Sequence, residues 1–542
     1  MANDPGTWDV LVAGGTVVDG TGRPGRLADV AIRADRIVRI APPGRMDPAL
    51  ALDIIDASGL VVAPGFVDLN GQSDWLYLSD GSAGAKLFQG ITTEIMGEST
   101  TPAPVGRNVP LAQSAGAETD ARRREEWRSF GAWLEEMEAS GVALNVGSFV
   151  GGTTVRRHGM GMAEGTPDRA AMDTMRAVTA RAMEDGAFGI ATALIYPPGS
   201  WATTEELEEL AGVVAGYGGL YVTHLRSESD FMEEALEEAF RIGARSGAPV
   251  EILHLKVAGR QNWPRTESLL QSLDSVRASG LDVGATLYPY TAASTGLTAC
   301  FPPWVQADGA LYRNLADPAA RDRIRAEMTG PPGRWENWCR LATPEGSRIA
   351  TVSNPDHVRW VGSSLAEVAE ERGVHWTEAA MDLVLRDRSR VGMIYEAMSE
   401  DGVRQKLALD WVRFGTDGAG FNPRAGGGRI HPRAYGSMPR ILGHYVREEG
   451  VLTLEEAVRR GAGSAAHRIG LRDRGILRPG YHADVIVFDP QAVEERATWE
   501  RPHQVGAGMH HVFVNGVAVI RDGEETGARP GRFVRGPGTT ER

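Results

Sequence analysis

The spacing of apolar and polar positions changes twice along the chain. Over the first sixty residues, short β-branched runs at 8–13, 16–18, 27–32 and 37–40 are broken by Asp19-Gly20, Gly22 and Asp35, which predicts strands joined by tight turns. The last seventy residues read the same way, with an apolar run at 483–489 and a hairpin pattern at 511–514 and 517–520 around Asn515-Gly516. Between these ends, apolar runs closing near 67–69, 92–96, 143–150, 188–194, 220–223, 250–253, 283–288 and 411–416 alternate with helical spacing. Thr203-x-x-Glu206 predicts a capping box ahead of one such helix. Met232, Leu236, Ala239, Phe240 and Gly243 predict the buried face of another. Eight β-then-α units in series predict a (β/α)8 barrel. The two strand-rich ends form either one β module, with the barrel inserted in it, or two small ones.

Residues 300–345 break the rhythm with Pro302, Pro303, Pro331, Pro332 and three Trp, and are read as an insertion over the barrel top. Composition narrows the function classes. With 42% hydrophobic and 24% charged residues the chain is not disordered, and a net charge of −14 argues against a general nucleic-acid binder. Two cysteines exclude a disulfide framework and a CxxC-type zinc site. No apolar run is long enough for a membrane span, and the opening residues lack a signal-peptide pattern, so a soluble cytoplasmic protein is expected.

In a barrel, chemistry sits at the carboxyl ends of the strands. His224 follows the run at 220–223, His254 the run at 250–253, and Asp417 the run at 411–416. Imidazoles on neighbouring strands suit Zn²⁺, and a site with three protein ligands and an open position is catalytic. A carboxylate beside it can move the proton of an activated water.

Several motifs then carry a resemblance: Asp56-Ala57-Ser58-Gly59, Ala63-Pro64-Gly65-Phe66-Val67-Asp68, Gln89-Gly90-Ile91-Thr92-Thr93, Thr223-His224-Leu225-Arg226-Ser227-Glu228, His254-Leu255-Lys256, Tyr288-Pro289-Tyr290, His431-Pro432-Arg433 and Pro479-Gly480-Tyr481-His482-Ala483-Asp484. In this order, over nearly the whole chain, they resemble the amidohydrolase superfamily and within it the N-acyl-D-amino-acid deacylases. The resemblance implies an α/β fold: a TIM-like (β/α)8 barrel over 63–473 with its insertion at about 300–345, and a small β-sandwich from 1–62 and 474–542 together.

The resemblance also exposes departures. Where the superfamily has His-x-His after the first strand, this chain has Asn70 and Gln72, and no histidine precedes His158. Amides are weak zinc ligands but can hydrogen-bond water or substrate. Where the family has a Cys ligand, the chain reads Met96-Gly97-Glu98-Ser99, and no lysine is evident as a carboxylated bridge. The expectation is one zinc ion, or another divalent transition metal, held by Glu98, His224 and His254. Asp417 is expected as the catalytic acid–base. The family pattern assigns Lys256, Arg433, Tyr288 and Tyr290 to the substrate carboxylate and Tyr196 to the substrate side, with Asn70 and Gln72 as further polar contacts.

These features imply a metal-dependent amidohydrolase that cleaves the amide C–N bond of an N-acyl (D-)amino acid or a similar carboxylate-bearing amide. Two alternatives remain open at this level: a biosynthetic cyclase that closes a heterocycle by cyclodehydration, and an inactive homologue that binds. The expected partner is a small-molecule substrate, without nucleic acid or membrane; homo-oligomerisation is left open.

Overall fold

The computed structural model describes residues 7–109, 111, 117–388, 391–426 and 428–540, so the outermost parts of the expected sandwich segments, 1–6 and 541–542, lie outside it. Eight parallel barrel strands occur in chain order: Phe66–Asp68, Ile91–Met96, Asn145–Ser148 continued by Val150–Gly151, Gly189–Ala193, Leu220–His224, Val250–Ile252, Val283–Leu287 and Val412–Phe414. The third is interrupted at Phe149, which splits the barrel into a three-stranded and a six-stranded stretch. The ring closes where Gly71 bridges Gly418 in parallel, with Asp417 N donating to Asn70 O at 2.8 Å and Gln72 N to Gly418 O at 3.1 Å.

Helices cover the barrel as the sequence pattern requires. Met232–Ser246 buries Met232, Ala235, Leu236, Ala239, Ile242 and Gly243, and stops at Gly247 in the left-handed region (φ 75°). Phe240, expected in that face, is only half-buried, because Ala235 and Ile242 centre the stripe. At Thr204–Gly216 only half of the expected capping box forms. Thr203 accepts from Glu206 N, while the Glu206 carboxylate is drawn instead to the buried Arg156 guanidinium.

Both chain ends enter one nine-stranded β assembly. Val61–Pro64 pairs antiparallel with Val485–Phe488, which joins the N-terminal strands to the C-terminal ones. The strand Trp8–Val17 serves two layers: its first half runs parallel to Ala51–Asp56 and its second half to Val61–Pro64. The switch falls at Gly14-Gly15, where the ladder to Arg26–Arg33 also shifts register. A Cβ on Gly15 would lie 2.5 Å from Val62 Cγ2, so a side chain there would force the layers apart. Val12, Val30, Ile32, Val62, Val485, Val487 and Phe513 fill the space between them.

The excursion over the barrel is wider than the Pro-rich stretch at 300–345. It contains an antiparallel sheet of Ala292–Gly296, Gly392–Glu396 and Ser347–Thr351, and its own apolar cluster around Leu297, Phe301, Trp338, Met381 and Tyr395. The sequence missed the flanking part because its strands are short and Gly/Ser/Thr-rich. Here the cysteine expectation is corrected as well: two cysteines give no framework, but Cys300 and Cys339 pair, with a Cα–Cα distance of 5.5 Å, because one cluster folds them together. Among the described residues, no helix is long and apolar enough to cross a membrane.

A buried lysine ties the barrel seam. Lys86 Nζ donates to Asp68 Oδ2 (2.6 Å), Thr416 Oγ1 (2.6 Å) and Gly418 O (2.7 Å), and lies 3.5 Å from Glu94 Oε1. Burial alone would push its pKa down, but the two carboxylates outweigh burial and raise it, so the ammonium stays charged. Lys86→Met therefore leaves Asp68 and Glu94 buried without their cation. The expected loss is about 3–5 kcal/mol in unfolding free energy, read from urea denaturation; a change within about 0.5 kcal/mol, typical of surface substitutions, would show that the seam does not depend on this charge.

Candidate metal centre

Four barrel strands aim their ends at one point. Glu98 follows the second, His224 closes the fifth, His254 follows the sixth and Asp417 follows the eighth. Ser99 (φ 66°), His254 (φ 35°) and Asp417 (φ 47°) all have left-handed backbones, which side chains adopt only when the surroundings enforce it. The enforcing contacts are local: His254 N donates to Thr286 Oγ1 at 2.8 Å, Asp417 N to Asn70 O at 2.8 Å, and Ser99 N to Ala191 O at 3.2 Å. Each reversal turns its residue into the barrel mouth instead of along the strand.

Glu98 Oε1 lies 3.2 Å from His224 Nδ1 and 3.3 Å from His254 Nε2, and one donor atom from each residue falls within 4.8 Å of the others. The imidazoles meet edge-on, with centroids 4.5 Å apart and planes at 81°. Their other nitrogens face a second carboxylate: Glu228 Oε2 is 3.2 Å from His224 Nε2 and Glu228 Oε1 is 3.1 Å from His254 Nδ1. Lys256 Nζ lies 2.7 Å from Glu228 Oε1 and 2.6 Å from His254 Nδ1. Glu336, from the insertion, accepts from Glu228 N and Ser229 Oγ, both at 2.9 Å. Two imidazoles and a carboxylate on the inside, backed by a carboxylate on the outer ring nitrogens, make a donor set that fits a transition metal and leaves a fourth position open.

The charges are strongly coupled. Burial would raise the Glu98 and Glu228 carboxyls, but the histidines, with Lys256 beside Glu228, hold both well below the usual range. Burial would lower His224, but Glu228 and Glu98 overcome it and push the ring up to about 9. In the metal-free protein the His224 ring therefore holds a proton that an ion must displace.

The expected substrate residues divide. Gln72, Tyr196, Lys256, Tyr288, Asp417 and Arg433 line a cavity of about 710 Å³ together with Glu98, His224 and His254. Gln72 Nε2 donates to Glu98 Oε2 (2.8 Å) and Asp417 Oδ1 (3.1 Å), so this amide links two carboxylates. Arg433 Nη1 is 2.8 Å from Asp417 Oδ2, and its guanidinium lies over Tyr288, 4.6 Å from the ring centroid. His431 holds that arginine's backbone, accepting from Arg433 N at 3.0 Å while its other nitrogen meets Ala292 O at 2.9 Å. Tyr196 sets its ring 5.8 Å from His224 and its hydroxyl 2.7 Å from Thr295 Oγ1.

Two expected residues do not reach the cavity. Tyr290 N bonds back to Tyr288 O at 3.0 Å, and this tight turn swings the second tyrosine away, where its hydroxyl donates to Glu495 Oε1 at 2.6 Å. Asn70 contributes through its carbonyl to Asp417, and its side chain is absent from the lining. Lys256 is engaged by Glu228 instead of standing free. Sequence reasoning missed the roles of Glu228, Thr286 and Lys86. Glu228 was legible only as the acid four residues after His224; which face of the rings it supports is set by the fold.

The centre should bind about one zinc per chain, measured by elemental analysis of the purified protein. His224→Ala and His254→Ala should each abolish binding, whereas Asn70→Ala and Gln72→Ala should retain it. Glu228→Gln should weaken zinc binding about 10–100-fold, the usual effect of removing a carboxylate that supports ligand histidines. Because His224 titrates at about 9 in the metal-free protein, binding below that pH releases a proton. Affinity should then rise by about one decade per pH unit toward that value and level off above it. Two zinc ions per chain, or a pH-independent affinity, would contradict this arrangement.

Residues 397–520 match the amidohydrolase family. The chain is 36% identical over 539 residues to a D-aminoacylase of Alcaligenes xylosoxydans xylosoxydans, covering 98% of each chain. It is 34% identical to an N-acyl-D-glutamate deacylase of the same organism, covering 97% of this chain and 96% of that one. Among solved structures, an N-acyl-D-glutamate deacylase from Bordetella bronchiseptica in complex with zinc and a phosphonate inhibitor superposes with a TM-score of 0.80 at 33% identity, over 98% of this chain and all of that one. A D-aminoacylase with a binuclear metal centre gives a TM-score of 0.80 at 34% identity over 97% of this chain and all of that one. With this identity sustained from end to end, the chain belongs to the D-aminoacylase family of metal-dependent amidohydrolases.

Proposed function

We propose that this protein hydrolyses the amide bond of N-acyl-D-amino acids, with a single metal held by Glu98, His224 and His254. The observation that carries this reading is the set of open donors beside that group. Tyr288 has a buried hydroxyl without a hydrogen-bond partner among the described residues, and Arg433 Nε is likewise buried and unbonded. Burial pushes the Tyr288 phenol well above its usual range against the pull of Arg433, so it stays protonated and can donate. A phenol and a guanidinium converging from one wall match the geometry of a carboxylate. The N-acyl-D-glutamate deacylase among the relatives acts on a substrate that carries one, as its name states.

Held by Glu98, His224 and His254, a divalent ion would supply Lewis acidity for the acyl carbonyl and would lower the pKa of water toward neutral. The chain's own groups do the rest. Arg433 and Tyr288 hold the α-carboxylate, which fixes the acyl carbon over Glu98, His224 and His254. Asp417, held in place by Gln72 and Arg433 and free of any histidine, accepts the proton of the attacking water and delivers it to the departing amine nitrogen. Lys256 keeps Glu228 charged and thereby keeps both imidazoles turned toward the cavity.

The direct test is amine release from a panel of N-acetyl-D- and N-acetyl-L-amino acids by the zinc-loaded protein. Turnover of the D forms alone is expected, and no release from any D form would overturn the reading. Asp417→Asn should keep fold and metal while kcat falls about 10²–10⁴-fold, the usual contribution of a general acid–base group. Arg433→Ala should raise KM for an N-acetyl-D-amino acid much more than for its methyl ester, and equal effects on both would remove the arginine from carboxylate recognition.

A further inference from the structure

The catalytic cavity contains a cation that neither the fold nor the proposed chemistry uses. Arg157 lies on the helix Gly152–Met160, which leaves the third barrel strand. Thr153, one turn earlier on the same helix face, bonds Ser99 through both its amide (2.7 Å to the carbonyl) and its hydroxyl (3.0 Å to the side chain). Thr153, Ser99 and Arg157 all line the cavity beside Glu98. Arg157 therefore continues the wall that begins at the metal group, one helical turn farther out. Its neighbour Arg156 turns the other way, and its two terminal nitrogens pair with Glu206 and with Gly165 O at 2.7 Å.

Arg157 has no such commitment. Its Nε is buried without a hydrogen-bond partner, and among the described residues no carboxylate lies within ion-pair reach of it. Burial lowers its pKa with no counter-charge opposing the shift. Most other charges of the cavity are paired: Glu98 with the two histidines, Asp417 with Arg433, and Lys256 with Glu228, while Arg429 also lines the cavity but is exposed to solvent, unlike the half-buried Arg157. The insertion closes over the same end of the helix, with Asp308 N 3.4 Å from Met162 O, and contributes Gln306 to the lining. A half-buried guanidinium without a counter-ion inside a cavity is costly unless an anion comes with the ligand.

We propose that Arg157 forms a second anion subsite, so that the preferred substrates are N-acyl-D-amino acids carrying a second carboxylate at the end remote from the group held by Arg433. This rests on the function proposed above and narrows it to diacids. The second carboxylate can belong to the amino-acid side chain or to the acyl group; both present the same acceptor pair to the guanidinium fork.

The test compares N-acetyl-D-glutamate, N-succinyl-D-leucine and N-acetyl-D-leucine as substrates of the zinc-loaded wild type, Arg157→Gln and Arg157→Lys. In the wild type, kcat/KM should favour a diacid over N-acetyl-D-leucine. Arg157→Gln should cut that ratio about 10–100-fold, the effect of losing one hydrogen-bonded charge pair, and Arg157→Lys should restore part of it. A loss confined to N-acetyl-D-glutamate assigns the subsite to the side chain, and one confined to N-succinyl-D-leucine assigns it to the acyl group. A wild type without diacid preference, or a ratio unchanged by Arg157→Gln, would overturn the subsite. If the wild type released amine from none of the three, the function proposed above would fall, and calorimetric titration of the same compounds would decide the subsite separately. Tighter binding of a diacid that is lost in Arg157→Gln would uphold it, and equal affinities would sink it.

Discussion

The catalytic mouth depends on one buried carboxylate that is never exposed to substrate. Glu228 places one oxygen beside the outer nitrogen of each imidazole and holds Lys256 against His254 Nδ1, so this one side chain organises the outer faces of both rings. Two rings that meet edge-on cannot both keep that orientation if the oxygen pair shifts. The segment carrying Glu228 is accordingly pinned at its backbone by Glu336, and the carboxylate itself by Lys256. Glu336 comes from the insertion, which therefore helps define the barrel-mouth site as well as covering it. A buried array of this kind is stable only while each charge keeps its partner.

The opposite wall solves a different problem. The family resemblance puts a His-x-His pair there, and this chain has amides instead. Beneath them lies a network in which Ser73 and Tyr77 hydroxyls donate to Glu94, Lys86 bridges Asp68 to Thr416 and Gly418, and the seam between first and last strands is held by charge. Gly71 is what admits it: a Cβ there would sit 2.0 Å from Glu94 Oε1. The amides thus stand on a wall fixed from behind. Gln72 adds to it by joining Glu98 to Asp417, so both carboxylates are positioned by the same side chain.

Much of this was legible in the sequence, and the limits follow a physical pattern. Strand ends followed by His or Asp located the mouth, because barrel topology fixes where such residues go. Glu98 emerged because a carboxylate is the only donor in Met96-Gly97-Glu98-Ser99 that suits a metal. What escaped was direction. Tyr290 and Tyr288 are two residues apart, yet a tight turn sends one outward; Asn70 and Gln72 share a motif, yet one acts through its backbone. Lys86, Glu228 and Thr286 escaped because their partners lie on other strands, and no local spacing encodes that proximity. The cysteine pair escaped for the same reason, since the apolar cluster that joins Cys300 to Cys339 draws on residues far from both.

The layer switch at Gly14-Gly15 has a consequence for how the chain is made. Among the described residues Val61–Pro64 finds its antiparallel partner in Val485–Phe488, so the N-terminal strands leave the ribosome with one edge open and wait for about 400 further residues. At about 5–20 residues per second the wait lasts roughly 20–80 s, long enough for the whole barrel to form first. Throughout that time Val12, Val30 and Val62 have no Val485, Val487 or Phe513 to cover them. The nascent chain therefore carries an exposed sheet edge and an uncovered apolar face for most of its synthesis, a demand on chaperones that the finished enzyme no longer displays.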